Sequence, residues 1–171
     1  LADIKKKTGK LLHLDLEPEP DGFLENTQEV IDFYKNHLLK EGLLTLKNKL
    51  NCTSAEAKTH ILKHIQICYD ICHFALAYES PKHVISSLQN EGINIGKIQI
   101  SAAIKCEKSN SVSISTQQSC LRQFDEPTYL HQSVVRLDDY SLVHFSDLSE
   151  GIELMSSPNF KEIRTHFHVP I

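Results

Sequence analysis

Four short runs that alternate polar and apolar residues, separated by helix-like stretches, constrain this chain more than any other feature. They are His13-Leu14-Asp15-Leu16-Glu17, Ile65-Gln66-Ile67-Cys68-Tyr69-Asp70, Lys97-Ile98-Gln99-Ile100-Ser101 and Arg164-Thr165-His166-Phe167-His168-Val169. Alternation with a period of two is the signature of a β-strand, whose successive side chains point to opposite faces. Pro18 cannot donate to a ladder and stops the first run, and Gly96 provides a turn before the third. Each run splits into two sets. Leu12, Leu14, Leu16, Ile65, Ile67, Tyr69, Ile98, Ile100, Ile163, Phe167 and Val169 call for an apolar neighbour. His13, Asp15, Glu17, Gln66, Cys68, Asp70, Lys97, Gln99, Ser101, Arg164, His166 and His168 supply oxygen, nitrogen and charge.

Helix patterns fill the intervals. One starts near Asn26 or Thr27, carries Val30, Ile31, Tyr34, Leu38 and Leu39 on one side and stops at Gly42, with Leu43, Leu46 and Leu50 as an apolar continuation. Another starts at Thr53, where Glu56 three residues on makes a capping-box pattern, and runs to about His64. A third is capped by Ser80, has Pro81 in its first turn and ends at Gly92. An order of strand, helix, strand, helix predicts parallel pairing through right-handed crossovers. Strands apolar on one face and polar on the other fit a β/α barrel with a polar lumen better than an open doubly wound sheet, which buries both faces in apolar contacts.

A complete barrel of eight units takes roughly 200 to 250 residues or more. This chain of 171 residues shows about four strand-helix units and has no initiating Met, so the expectation is a single domain over 1–171 that is the C-terminal part of a longer TIM barrel. Open edges on its first and last strands predict self-association. From Glu107 to Ser119 the chain is rich in Ser, Asn and Gln and reads as a mobile loop. Beyond it, Tyr129 to Val135 and Tyr140 to Phe145 flank Asp138-Asp139, the pattern of a hairpin, so 107–145 reads as an inserted loop with a hairpin.

The net charge of −4 excludes a general attraction to nucleic acid or anionic membrane, and no run is long enough to span a bilayer. Five cysteines without a Cys-x-x-Cys pair fit reduced thiols in a cytoplasm. Within the polar set, Asp70-x-x-His73 is the sharpest chemical signal. A carboxylate ending a strand and an imidazole in the turn after it can converge on one divalent metal ion.

The segments His13 to Pro20, Cys68 to Ala75, Gly96 to Ala103, Tyr129 to Gln132 and His166 to Pro170 resemble the metabolite traffic protein EboE family. That family lies within the xylose-isomerase-like superfamily of sugar phosphate isomerases, epimerases and endonuclease IV. The resemblance implies a β/α barrel with a site for a divalent ion, Mg, Mn or Zn. Glu17, Asp70 and His73 match the ligand positions. Gln99 stands where the third-strand ligand is commonly His, and His166 and His168 stand where a Glu serves as ligand and acid/base partner. The implied activity is metal-dependent isomerisation or epimerisation of a small polyhydroxylated metabolite by proton transfer. Glu17 and His168 would be the proton carriers, His168 would also be a ligand, and Glu19, Lys97, His131 and His166 would lie near substrate. A noncatalytic metabolite-binding protein is the alternative. Endonuclease IV-like phosphodiester hydrolysis is disfavoured by the acidic balance, and a fragment lacking part of the pocket would be inactive.

Overall fold

The computed structural model describes residues 1–167, a mixed α/β chain with two compact units, Leu1–Phe74 with Glu79–Ile100, and Ala75–Tyr78 with Ser101 onward. Among these residues there is one parallel and one antiparallel sheet and no closed barrel. No described helix is long and apolar enough to cross a membrane.

The first unit holds the parallel sheet. β1 (Leu14–Leu16), β2 (Ile65–Asp70) and β3 (Ile95–Gln99) lie in that order, with Asp15 opposite Gln66, Cys68 opposite Lys97 and Asp70 opposite Gln99. A short helix α1 (Ala2–Thr8) precedes β1. Between β1 and β2, α2 (Thr27–Phe33) is capped by Asn26, whose side chain accepts from the Glu29 N–H. It passes without a break into a π-helical stretch, Tyr34–Gly42, and then α3 (Leu43–Leu50). The expected stop at Gly42 is therefore absent. Gly42 has ordinary right-handed helical dihedrals, and the helix ends instead at Asn51, which takes the left-handed conformation.

α4 (Ser54–His64) begins with the full Thr53–Glu56 capping box, and α6 (Pro81–Asn90) is capped by Ser80. Gly92, at φ +70°, closes α6 as only a residue without Cβ does cheaply. Val30, Ile31, Tyr34, Ile67, Tyr69, Phe74, Val84, Leu88 and Ile93 form the core between helices and sheet, with Leu16, Ile65 and Ile95 packed against it. Tyr34 donates its hydroxyl to the Ile65 carbonyl at 3.0 Å, and burial raises its pKa. Leu14, Ile98 and Ile100, all expected to seek apolar neighbours, are exposed, because the core reaches only part of each outer strand.

The second unit corrects the expected fourth barrel strand. The run at 164–169 belongs to β7 (Phe160–His166), which pairs antiparallel with β4 (Ala103–Glu107) and with β5 (Ser133–Leu137) in the order β4-β7-β5-β6. The predicted hairpin is present: β5 pairs antiparallel with β6 (Leu142–Phe145) across a turn in which Asp139 accepts from Ser141 and Tyr140 has φ +67°. Once β5 and β4 both lie beside β7, strand pairing inside this sheet overrides the parallel pairing that the strand-helix order suggested.

The Ser-rich stretch is not a bare loop either. Ser113 caps α7 (Ile114–Leu121), and Gln117 and Gln118 donate to the Glu107 and Ile152 carbonyls. Leu121 packs with Leu148 and Ile152 of α8 (Leu148–Leu154), Val135, Met155, Phe160 and Ile163.

Candidate functional site

Parallel strands carry their C-terminal ends to the same side of a sheet, so short-range sequence features decide what stands there. Glu17 follows β1, Asp70 and Gln99 are the last residues of β2 and β3, and His73 lies in the first turn of α5 (Ile71–Leu76). The Asp70 carboxylate is buried. Its Oδ1 accepts from the Cys72 backbone N–H at 3.0 Å and its Oδ2 from the Gln99 amide at 2.5 Å. The same Gln99 Nε2 lies 3.4 Å from Glu17 Oε1, so one amide ties the two carboxylates together. Its carbonyl oxygen accepts from Lys97 Nζ at 2.7 Å.

Buried His73 holds Nδ1 3.0 Å from the Pro18 carbonyl and 3.8 Å from Glu17 Oε1. A carbonyl oxygen only accepts, so Nδ1 carries the hydrogen and the lone pair belongs to Nε2.

Glu17, Asp70 and His73 offer potential ligand atoms within 4.8 Å of one another. Two carboxylates with an imidazole suit a divalent cation. Gln99 turns its NH2 toward the carboxylates rather than its carbonyl, and a half-turn about its last side-chain bond would exchange the two ends. Three of the expected ligand positions therefore converge as they stand, and the fourth residue is present in the opposite orientation. His168 lies outside the described residues. His131 and His166 are buried in the second unit, Glu19 is exposed and Lys97 sits on the rim of the parallel-sheet site.

Cys68 was on the polar face by parity, but its role was not foreseen. Burial, together with the charge of Glu17, pushes its pKa up to about 11, so it stays a protonated thiol at neutral pH. Further down the same face, Asp15 Oδ1 meets His13 Nδ1 at 2.7 Å and leans over Gly96. A Cβ on Gly96 would come within 2.1 Å of that oxygen. No protein-family model matches this chain, and no curated protein or solved structure is significantly similar to it.

Proposed function

We propose that the C-terminal end of the parallel sheet is a divalent-metal site for proton transfer on a small polyhydroxylated metabolite, with sugar or sugar-phosphate isomerisation or epimerisation as the reaction type. The observation that carries this reading is the convergence of Glu17, Asp70 and His73 within 4.8 Å at the ends of two neighbouring parallel strands. A bound ion would polarise a substrate carbonyl and make the adjacent C–H more acidic. Glu17 is half-exposed, so its carboxylate can meet a substrate and take up or return the proton. The Gln99 amide reaches that carboxylate, and the Cys72 N–H and the same amide fix Asp70. Lys97, exposed beside Gln99, is available to an anionic substituent.

The three parallel strands are what a segment of a xylose-isomerase-like TIM barrel would contribute, and that finer fold reading, with a cytoplasmic setting and self-association at the open edges, belongs to the same proposal. The antiparallel sheet lies outside the barrel pattern. The orientation of Gln99 favours a second reading, a noncatalytic metabolite-binding protein whose carboxylates are already tied by an amide. Mn titration of the whole chain, followed by deuterium exchange from solvent into a panel of sugars and sugar phosphates, separates them. Mn binding lost in Asp70→Asn, with exchange lost in Glu17→Gln, supports the enzyme. Sugar binding that needs no metal and gives no exchange supports the carrier.

A further inference from the structure

We propose that His131 is a proton-operated latch that clamps the segment 126–131 to the start of α8 when its imidazole takes up a proton. His131 is wholly buried, and neither Nδ1 nor Nε2 has a hydrogen-bond partner among the described residues. The ring lies against Phe167, at 4.8 Å between centroids, and Phe167 in turn packs on Phe124. Leaving two polar ring atoms without partners in such a place is costly unless another state uses them.

The surroundings of the two nitrogens identify that state. Nε2 lies 3.8 Å from Glu126 Oε1, and Nδ1 lies 3.7 Å from Asp147 Oδ1. A neutral imidazole has one N–H and one lone pair, so in either tautomer a lone pair faces a carboxylate. An imidazolium presents an N–H to both. The pocket is thus complementary to the protonated ring, and each contact needs to shorten by roughly 1 Å to become a charge-assisted hydrogen bond. The two carboxylates stand at opposite nitrogens of the ring, so a proton on each nitrogen addresses both.

Both carboxylates are tied to backbone, so drawing them in moves structure. Glu126 accepts from the Thr128 and Tyr129 N–H groups at 2.9 and 3.0 Å, and these bonds, Thr128 first, hold its pKa below the usual range. Asp147 caps α8 through the Leu148 N–H at 2.8 Å and accepts from the His131 backbone N–H at 3.2 Å. Other titratable groups on the surrounding elements are Asp125, His144, Glu150 and His166. Arg122 and Arg164 are bonded to Glu153 and Glu162. The closed latch would hold the 126–129 turn onto the helix start at low pH and release it as pH rises.

The test is nitrogen NMR on the whole chain labelled at histidine, with amide exchange of Thr128 and Tyr129 followed from about pH 8 to about pH 5. The expected result is that both ring nitrogens of His131 take the imidazolium signature at the acid end while exchange at Thr128 and Tyr129, corrected for its intrinsic pH dependence, slows roughly fivefold, the scale of partly exposed ion pairs. Glu126→Gln and Asp147→Asn, whose side chains are 40% and 35% exposed, should fold and should each remove much of that slowing. A His131 ring that stays neutral to pH 5 overturns the proposal. So does a ring that titrates with no change in corrected exchange, or slowing that survives both carboxamide variants.

Discussion

The two units bury an acid in different ways. In the antiparallel sheet, Glu162 is 1% exposed and is gripped by two guanidiniums, Arg136 and Arg164, the latter at 2.6 Å. Both guanidiniums also lie over the Tyr78 ring, 4.6 and 3.9 Å from its centroid, and the Tyr78 hydroxyl donates to the Val134 carbonyl at 3.2 Å. In the parallel sheet, Asp70 is buried to the same degree, and its partners include a backbone N–H and the rotatable Gln99 amide, with Glu17 close by. An acid locked by fixed cations is scaffold. An acid held by a rotatable amide beside a second carboxylate can exchange its partner, which a site for ion or substrate requires.

Glu162→Ala is the strongest test of this contrast. Removing the buried acid leaves two guanidiniums facing each other, and chemical denaturation should show a loss of about 3 to 5 kcal/mol. A loss under about 1 kcal/mol would mean that the cluster is not scaffold.

On the other side of the comparison, Gly96→Ala should cost about 1 to 3 kcal/mol, because its methyl would meet Asp15 Oδ1 at 2.1 Å and force the polar face to open. The double variant Gly96→Ala with Asp15→Ala should recover part of that stability, since Gln66 Oε1 would still stand 2.7 Å from the methyl. The third test concerns Cys68, whose pKa rises from the ordinary 9.0 to about 11. Between those values the unfolded chain releases a proton that the folded chain keeps, so folding stability falls as pH rises from about 9 to about 11, by on the order of 2 kcal/mol. Denaturation curves of Cys68→Ala across that range should lack this part of the decline.

The smallest effect on stability, and the most telling for function, is expected from Asp70→Asn. The neutral amide keeps much of the hydrogen bonding, so stability should change by less than about 2 kcal/mol. Mn affinity, measured by calorimetry, should fall by at least about tenfold. Unchanged Mn binding would remove Asp70 from the site.

Much of the parallel unit could be read from residue order. Alternation placed Asp15, Gln66, Cys68, Asp70, Lys97 and Gln99 on one face, and the Asn26, Thr53, Ser80 and Gly92 signals marked helix ends correctly because caps are local chemistry. The Gly42 stop failed because a glycine can also sit inside a helix whose flanks are anchored by Tyr34 and the core behind it. The β7 register was illegible for another reason. Alternation reports which faces a strand presents but not which neighbour it pairs with, and β7 joins strands far away in sequence.

Sequence by itself determined the strand faces, the helix starts and the chemistry available at each strand end. Periodicity and capping act within a few residues and need no partner. Tertiary structure alone decided that the fourth run joins an antiparallel sheet instead of the three parallel strands. It also turned the Gln99 amide inward and suspended His131 between two carboxylates. Each of those outcomes depends on groups brought together from distant positions, where competing pairings and hydrogen bonds are resolved only by the packed fold.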